Sequence, residues 1–213
     1  MGIPKGDVGA IVRRLAQPGQ VVVDVGASDG SVTASAAEAV GPSGRVLAFE
    51  PDGRYDTWLA MLATYPTVSY FPVAVSDAAG RRALYLGATP QQSSLHAGCV
   101  EPAGTTDVVA TRLDDLEGPV DVIKIDAQGH EVAIVRGGRR WLNGSTRWVV
   151  ELWPHGLEQA QTSAAALCDL FWDAGYVLQW ADGAVFDREA LAQWLARTGA
   201  NSFVNIVALP KAA

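Results

Sequence analysis

The chain is poor in cysteine, with two in 213 residues, Cys99 and Cys168. Two thiols cannot build a disulfide framework or a four-ligand zinc site, and a reducing compartment is the default setting for such a chain. Positive charge is also scarce: 16 Lys and Arg stand against 23 Asp and Glu, a net charge of −7. That balance disfavours nucleic acid, whose phosphates need a basic face, and it disfavours anionic membranes. No apolar run approaches the roughly 18 residues of a membrane span. The opening MGIPKGDVGA has no apolar signal core, and Gly6 stands where a myristoylation motif needs Ser or Thr. The expectation is a soluble, cytoplasmic protein with neither a nucleic-acid nor a membrane partner.

What is present describes a folded globule. The chain is 49% apolar and 18% charged, and its length suggests one domain over residues 1–213. Val8, Ile11, Val12 and Leu15 repeat at helical spacing, which predicts a helix within the N-terminal segment 1–20. VVVDV (21–25) and RVLAFE (45–50) are short apolar runs of the kind buried on both faces of a parallel sheet. VSYFPVAV (68–75), VDVIKID (120–126), TRWVVEL (146–152), YVLQWA (176–181) and FVNIVAL (203–209) extend the series. Helical stripes fall between them, including Trp58, Met61, Leu62 and Tyr65. Trp58, Trp141, Trp172 and Trp194 are accordingly read as core or helix-packing residues. RRALYL (81–86) and DVVATRL (107–113) read as short strands around a polar loop, 87–106, long enough to act as a lid. Alternating strands and helices predict an α/β, three-layer, Rossmann-like fold with a mostly parallel sheet. Chemistry in such a sheet lies just beyond the carboxyl ends of the strands.

Two sites stand there. The turn Asp24-Val-Gly26-Ala27-Ser-Asp-Gly30 follows the first strand. Its glycines permit close approach of backbone to a ligand. The spacing is neither the G-x-G-x-x-G of dinucleotide binders nor a P-loop, and the acidic residue suits a cationic ligand better than a phosphate. Glu50 ends the second strand, where a carboxylate can accept hydrogen bonds from the two hydroxyls of a ribose.

The ordered set VDVGASDG, VLAFEPD, VAVSD, Ser93-Ser94-Leu95, TRLDDL, IKIDAQGHE and WVVEL resembles the FkbM family of class I S-adenosylmethionine-dependent methyltransferases. IKID-x-x-G-x-E is its most specific part. The resemblance implies a seven-stranded fold whose last strand is antiparallel, and methyl transfer to oxygen on a small molecule or sugar. It implies that Asp24, Gly26, Ala27 and Gly30 line the methionine and ribose region, that Glu50 holds the ribose, that Ala74, Val75 and Ser76 lie near the adenine, and that Asp126 stands beside the methyl group. Gln128 departs from the family's frequent Glu, which weakens any role of that position as base or metal ligand.

An alcohol acceptor must lose a proton, so a base within hydrogen-bond reach helps. Asp126 and Glu151 end adjacent strands and are expected to converge, and His155 in the WPHG turn is a third candidate. His130 and His96 are weaker ones, read first as helix cap and solvated loop residue. Asp126 and Glu151 as a magnesium site is the less favoured option, since no third ligand is evident. Lys124 points away from Ile123 and Ile125 along its strand and is read as the partner of a buried carboxylate. Glu131 is expected at the positive end of its helix. A short N-terminal segment leaves room for a homodimer to cover the site. Two other classes stay open: an NAD-type oxidoreductase and a non-catalytic binding or scaffold protein.

Overall fold

In a computed structural model of the chain, residues 6–211 are described; the Met-Gly start and the first five residues of the 1–20 segment lie outside them. Asp7 caps α1 (Val8–Leu15) by accepting from the Ala10 N–H, and Ile11, Val12 and Leu15 are its buried face. The strands β1 (Val21–Val25), β2 (Arg45–Phe49), β3 (Val68–Phe71), β7 (Val122–Ile125), β8 (Arg147–Leu152), β9 (Tyr176–Trp180) and β10 (Val204–Pro210) form a seven-stranded sheet in the order β3-β2-β1-β7-β8-β10-β9. The neighbours from β3 through β8 are parallel. β10 runs antiparallel to both β8 and β9. α2 (Ser31–Val40), α3 (Asp56–Leu62), α4 (Glu131–Arg136), α5 (Pro154–Gln159), α6 (Ala164–Asp173) and α7 (Arg188–Leu195) complete the chain order.

The central strands are buried on both faces because helices cover both. Val23, Val25, Ile123, Ile125 and Trp148 pack with α4 and α6 on one side; Val22, Val46, Val122 and Val149 pack with α1 and α2 on the other. The chain leaves β1 toward β2 and β3, then returns to β7 on β1's other flank. That reversal opens a crevice at the carboxyl ends of β1 and β7.

Two expectations are corrected here. VSYFPVAV is not one strand: Pro72 has no N–H to give the ladder, and Val73 N–H turns back to Phe71 O. The chain breaks into β3 and β4 (Ala74–Val75), which lie in different sheets. β4 joins β5 (Gly80–Leu86) and β6 (Gly104–Thr111) in a three-stranded sheet of order β4-β6-β5. The loop anticipated at 87–106 is therefore shorter, the 87–103 connection of a β5–β6 hairpin, its last three residues being paired in β6. The second correction is the α3 stripe. Trp58, Met61 and Tyr65 are about 60% exposed, while Leu59 and Tyr55 face inward onto Ala27 and Ala48.

Candidate active site

A cavity of about 310 Å³ opens at the crevice. Its floor is the carboxyl ends of β1, β2 and β7, with Gly26, Glu50 and Asp126 among the lining. Ala74 and Val75 of β4 and Leu84 of β5 form a side wall, which is what the small sheet contributes. Ser93, Ser94 and Leu95 of the loop close over it.

Gly26 sets how closely the two strand ends approach. It sits at φ +73°, and a Cβ there would lie 1.8 Å from the Asp126 carbonyl oxygen. The next turn residue but one, Ser28, is held at φ +52°. Its N–H donates to Glu50 Oε2 at 2.9 Å, and the Asp52 N–H donates to Oε1 at 2.9 Å. These bonds aim Glu50 into the cavity with further lone pairs available. Burial pushes its carboxyl up to about 7, against the pull of the two backbone donors.

Asp126 and Glu151 do converge, and what joins them is Gln128. Its Nε2 donates to Asp126 Oδ1 at 2.9 Å and to Glu151 Oε2 at 3.0 Å. Gln128 itself holds φ +49°. Strained non-glycine backbone at Ser28 and Gln128, both in the cavity lining, is the kind of cost that recurs at functional sites. Burial, and after it the charge of Asp126, holds the Glu151 carboxyl well above the ordinary carboxylate range.

His130 lines the adjoining wall and is paired with His96. His130 Nε2 lies 2.9 Å from Ser76 Oγ, and its Nδ1 lies 2.8 Å from His96 Nε2. Ser76 Oγ donates to Asp77 Oδ1, so the consistent proton order runs His96 to His130 to Ser76 to Asp77. Burial, then His96, pushes His130 down to about 4, so it is neutral at pH 7. His96 is thus tied into the wall rather than solvated, and His130 is a wall residue whose side chain makes no helix cap.

Other expected residues lie behind the lining. Asp24 is fully buried; its Oδ2 accepts from Thr33 Oγ1, and its Oδ1 lies 3.0 Å from Lys124 Nζ. The partner expected for Lys124 is therefore Asp24, which supports the turn from below. Lys124 Nζ also donates to the carbonyls of Val25 and Gly26. Ala27 packs against Ala48 and Leu59, Gly30 begins α2 against Leu62, and Ser76 stands behind His130. His155 is not brought into the cavity: it sits in α5, its ring 5.7 Å from that of Trp153. α5 begins at Pro154, and this turn carries His155 away from the strand end. Glu131 accepts from the Ala127 and Gly129 N–H groups, fixing the turn that presents Gln128.

The sequence reading missed three features. Asp52 and Arg54 hold the loop: Arg54 donates to Gly87 O and Ser93 Oγ, and Ser93 Oγ donates to Asp52 Oδ2. Ser94 Oγ donates to Gln128 O at 2.7 Å. Phe203, just before β10, reaches the lining from the far end of the sequence. Ser93-Ser94 and the EPD run were visible as motifs, but the distance between them in sequence concealed the latch.

Solved structures with this architecture are numerous. Precorrin-6y C5,15-methyltransferase from Geobacter metallireducens matches with a TM-score of 0.54 at 17% identity, covering 95% of this chain and 87% of that one. Methyltransferase FkbM from Methylobacillus flagellatus matches with a TM-score of 0.55 at 13% identity, covering 94% of this chain and 50% of that one. Fibrillarin from Aeropyrum pernix, in complex with natively bound S-adenosyl-L-methionine, gives 0.52 at 14% identity over 94% of this chain and 73% of that one. No curated protein matches in sequence. At such identities these structures establish the fold alone. The family rests on the sequence: residues 24–178 match the methyltransferase FkbM domain, and the chain belongs to that methyltransferase family.

Proposed function

We propose that the protein is an S-adenosylmethionine-dependent methyltransferase that methylates a hydroxyl on a small molecule or sugar. One observation carries the reading: three carboxylates, Glu50, Asp126 and Glu151, line the cavity, and no Lys or Arg among the described residues does. A ligand with a sulfonium and an ammonium group fits that field. A dinucleotide fits it poorly, because its pyrophosphate would meet those carboxylates and the turn lacks the usual glycine spacing. Glu50 ends β2 where it can accept both hydroxyls of a ribose. Phe49, Val73, Val75 and Ile134 offer an apolar slot for a flat base.

When bound, the cofactor supplies an electrophilic methyl carbon and leaves as S-adenosylhomocysteine. The chain's part is alignment, exclusion of water and proton acceptance. Asp126 stands at the end of β7 to take the ligand's ammonium. Glu151, whose carboxyl burial and the charge of Asp126 hold above the ordinary carboxylate range, is the group placed to accept a proton from an acceptor hydroxyl. Gln128 holds both carboxylates in register and stabilises their ionised forms. A magnesium ion between Asp126 and Glu151 would have to displace the Gln128 amide, so the metal-free reading leads.

Calorimetric titration with S-adenosylhomocysteine, with NAD as control, tests the assignment. Saturable binding of the nucleoside alone is expected, weakened about 10²-fold by Glu50→Ala, the worth of two charge-assisted hydrogen bonds. Binding of NAD alone would transfer the reading to an oxidoreductase. Binding of neither would favour the scaffold reading.

A further inference from the structure

Beyond the wall made by Gln128, Glu151 and Phe203 lies a second, wider cavity of about 800 Å³, and these three residues line both spaces. We infer that this second cavity is the acceptor site and that it takes an uncharged or cationic hydroxylated ring, not an anionic one. The inference rests on the methyl-transfer reading above.

The shared wall is the first argument. Asp126 faces the first cavity, while Gln128 and Glu151, the proposed proton acceptor, border both. A hydroxyl entering from the second cavity finds Glu151 as the carboxyl on the wall it shares with the first. Its oxygen then forms the new carbon–oxygen bond while the methyl carbon–sulfur bond breaks, the electron pair staying on sulfur. The hydroxyl proton passes to Glu151. The products are a methyl ether and S-adenosylhomocysteine, and no oxidant or metal is needed for balance.

The lining chemistry is the second argument. Trp153 forms one side. Its indole N–H donates to Ala200 O at 3.0 Å. Its ring presses on Gly156 so closely that a Cβ there would fall 2.1 Å from Cε3. The ring is thus seated at its edge and on one face, and serves as a fixed platform. Val100 and Pro102 of the loop add apolar surface. The charged side chains in the lining are Glu101 and Glu151; no Lys, Arg or His among the described residues joins them. A phosphate or carboxylate on the acceptor would meet the Glu101 carboxylate and the Glu151 carboxyl and no counter-charge. A hydroxylated ring stacks on the indole with its polar edge toward Glu101, and an amine on that edge gains an ion pair.

Saturation-transfer NMR on protein saturated with S-adenosylhomocysteine tests this with three matched probes: methyl glucoside, glucosamine and glucose 6-phosphate. The first two are expected to bind at least tenfold more strongly than the phosphate. Trp153→Ala should abolish their signal while leaving the nucleoside bound. Glu101→Lys, at an exposed position of the lining, should admit the phosphate while the nucleoside stays bound. Equal binding of glucose 6-phosphate to the natural chain overturns the proposal. So does sugar binding that survives Trp153→Ala, or the absence of any sugar signal on protein that holds its nucleoside. Failure to bind S-adenosylhomocysteine would instead remove the methyl-transfer reading on which the proposal stands.

Discussion

Lys124 reaches from β7 to Asp24 on β1, Nζ to Oδ1 3.0 Å, with both side chains almost wholly buried. The pair links the two strands on either side of the switch point and places the lysine under the Val25 and Gly26 carbonyls. The Gly26 turn is therefore set by a buried charge pair that lies outside the cavity lining.

Breaking that pair from one side should be costly. Lys124→Met leaves Asp24 buried and unpaired, and an isolated buried charge costs about 3–5 kcal/mol. Urea unfolding should show that loss. The double variant Asp24→Leu, Lys124→Met should recover most of it, since neither charge is then stranded.

Stability should depend on pH in a stated direction. Burial raises Glu50 and Glu131 to about 7, so the folded state holds their protons more tightly than the unfolded chain does. Their contribution is full below the unfolded carboxylate range and is lost as pH rises through about 7. His130, pushed down to about 4, works the opposite way between about 4 and the ordinary histidine value of 6.5. Above that value only the carboxylates act. The melting temperature of the ligand-free protein should fall by on the order of a few degrees between about pH 6.5 and 8. Glu131→Gln should flatten the fall.

Gln128→Ala removes the amide donor that favours ionised Glu151. The acid limb of the methyl-transfer pH profile should then move up by about one pH unit, the worth of one hydrogen bond to a carboxylate. Nucleoside affinity should change little. An unmoved limb would separate Glu151 from the proton transfer.

Arg54→Ala cuts the bonds to Gly87 and Ser93 that tie the loop to β2's end. Hydrogen exchange over 87–96 should speed at least tenfold, while the exchange of β1 and β7 stays unchanged. The Michaelis constant for the acceptor should rise more than the turnover number falls.

Much of this arrangement was legible in the sequence for a simple reason. Strands such as VVVDV and RVLAF carry no alternation because both faces are buried, and their spacing dictates helical crossovers. Glu50 and Asp126 follow because ligands gather at strand ends. The stripe of Trp58, Met61 and Tyr65 misled because helical periodicity marks a face without saying which way it turns. Asp24 was placed in the lining because proximity along the chain cannot separate a side chain that points at a ligand from one that points at Lys124. The Arg54–Ser93 latch and the entry of Phe203 depend on contacts between distant segments, which no local pattern encodes.

The insertion of β10 between β8 and β9 also bears on synthesis. A ribosome delivers β10 after every other strand, yet it fills an interior gap. Until residues 204–210 emerge, β8 and β9 each display an unpaired edge open to pairing with other nascent chains. Phe203 arrives with the same segment. That segment thus closes the sheet and finishes the wall between the two cavities in one event, so a ribosome stalled in α7 would release a chain prone to aggregate.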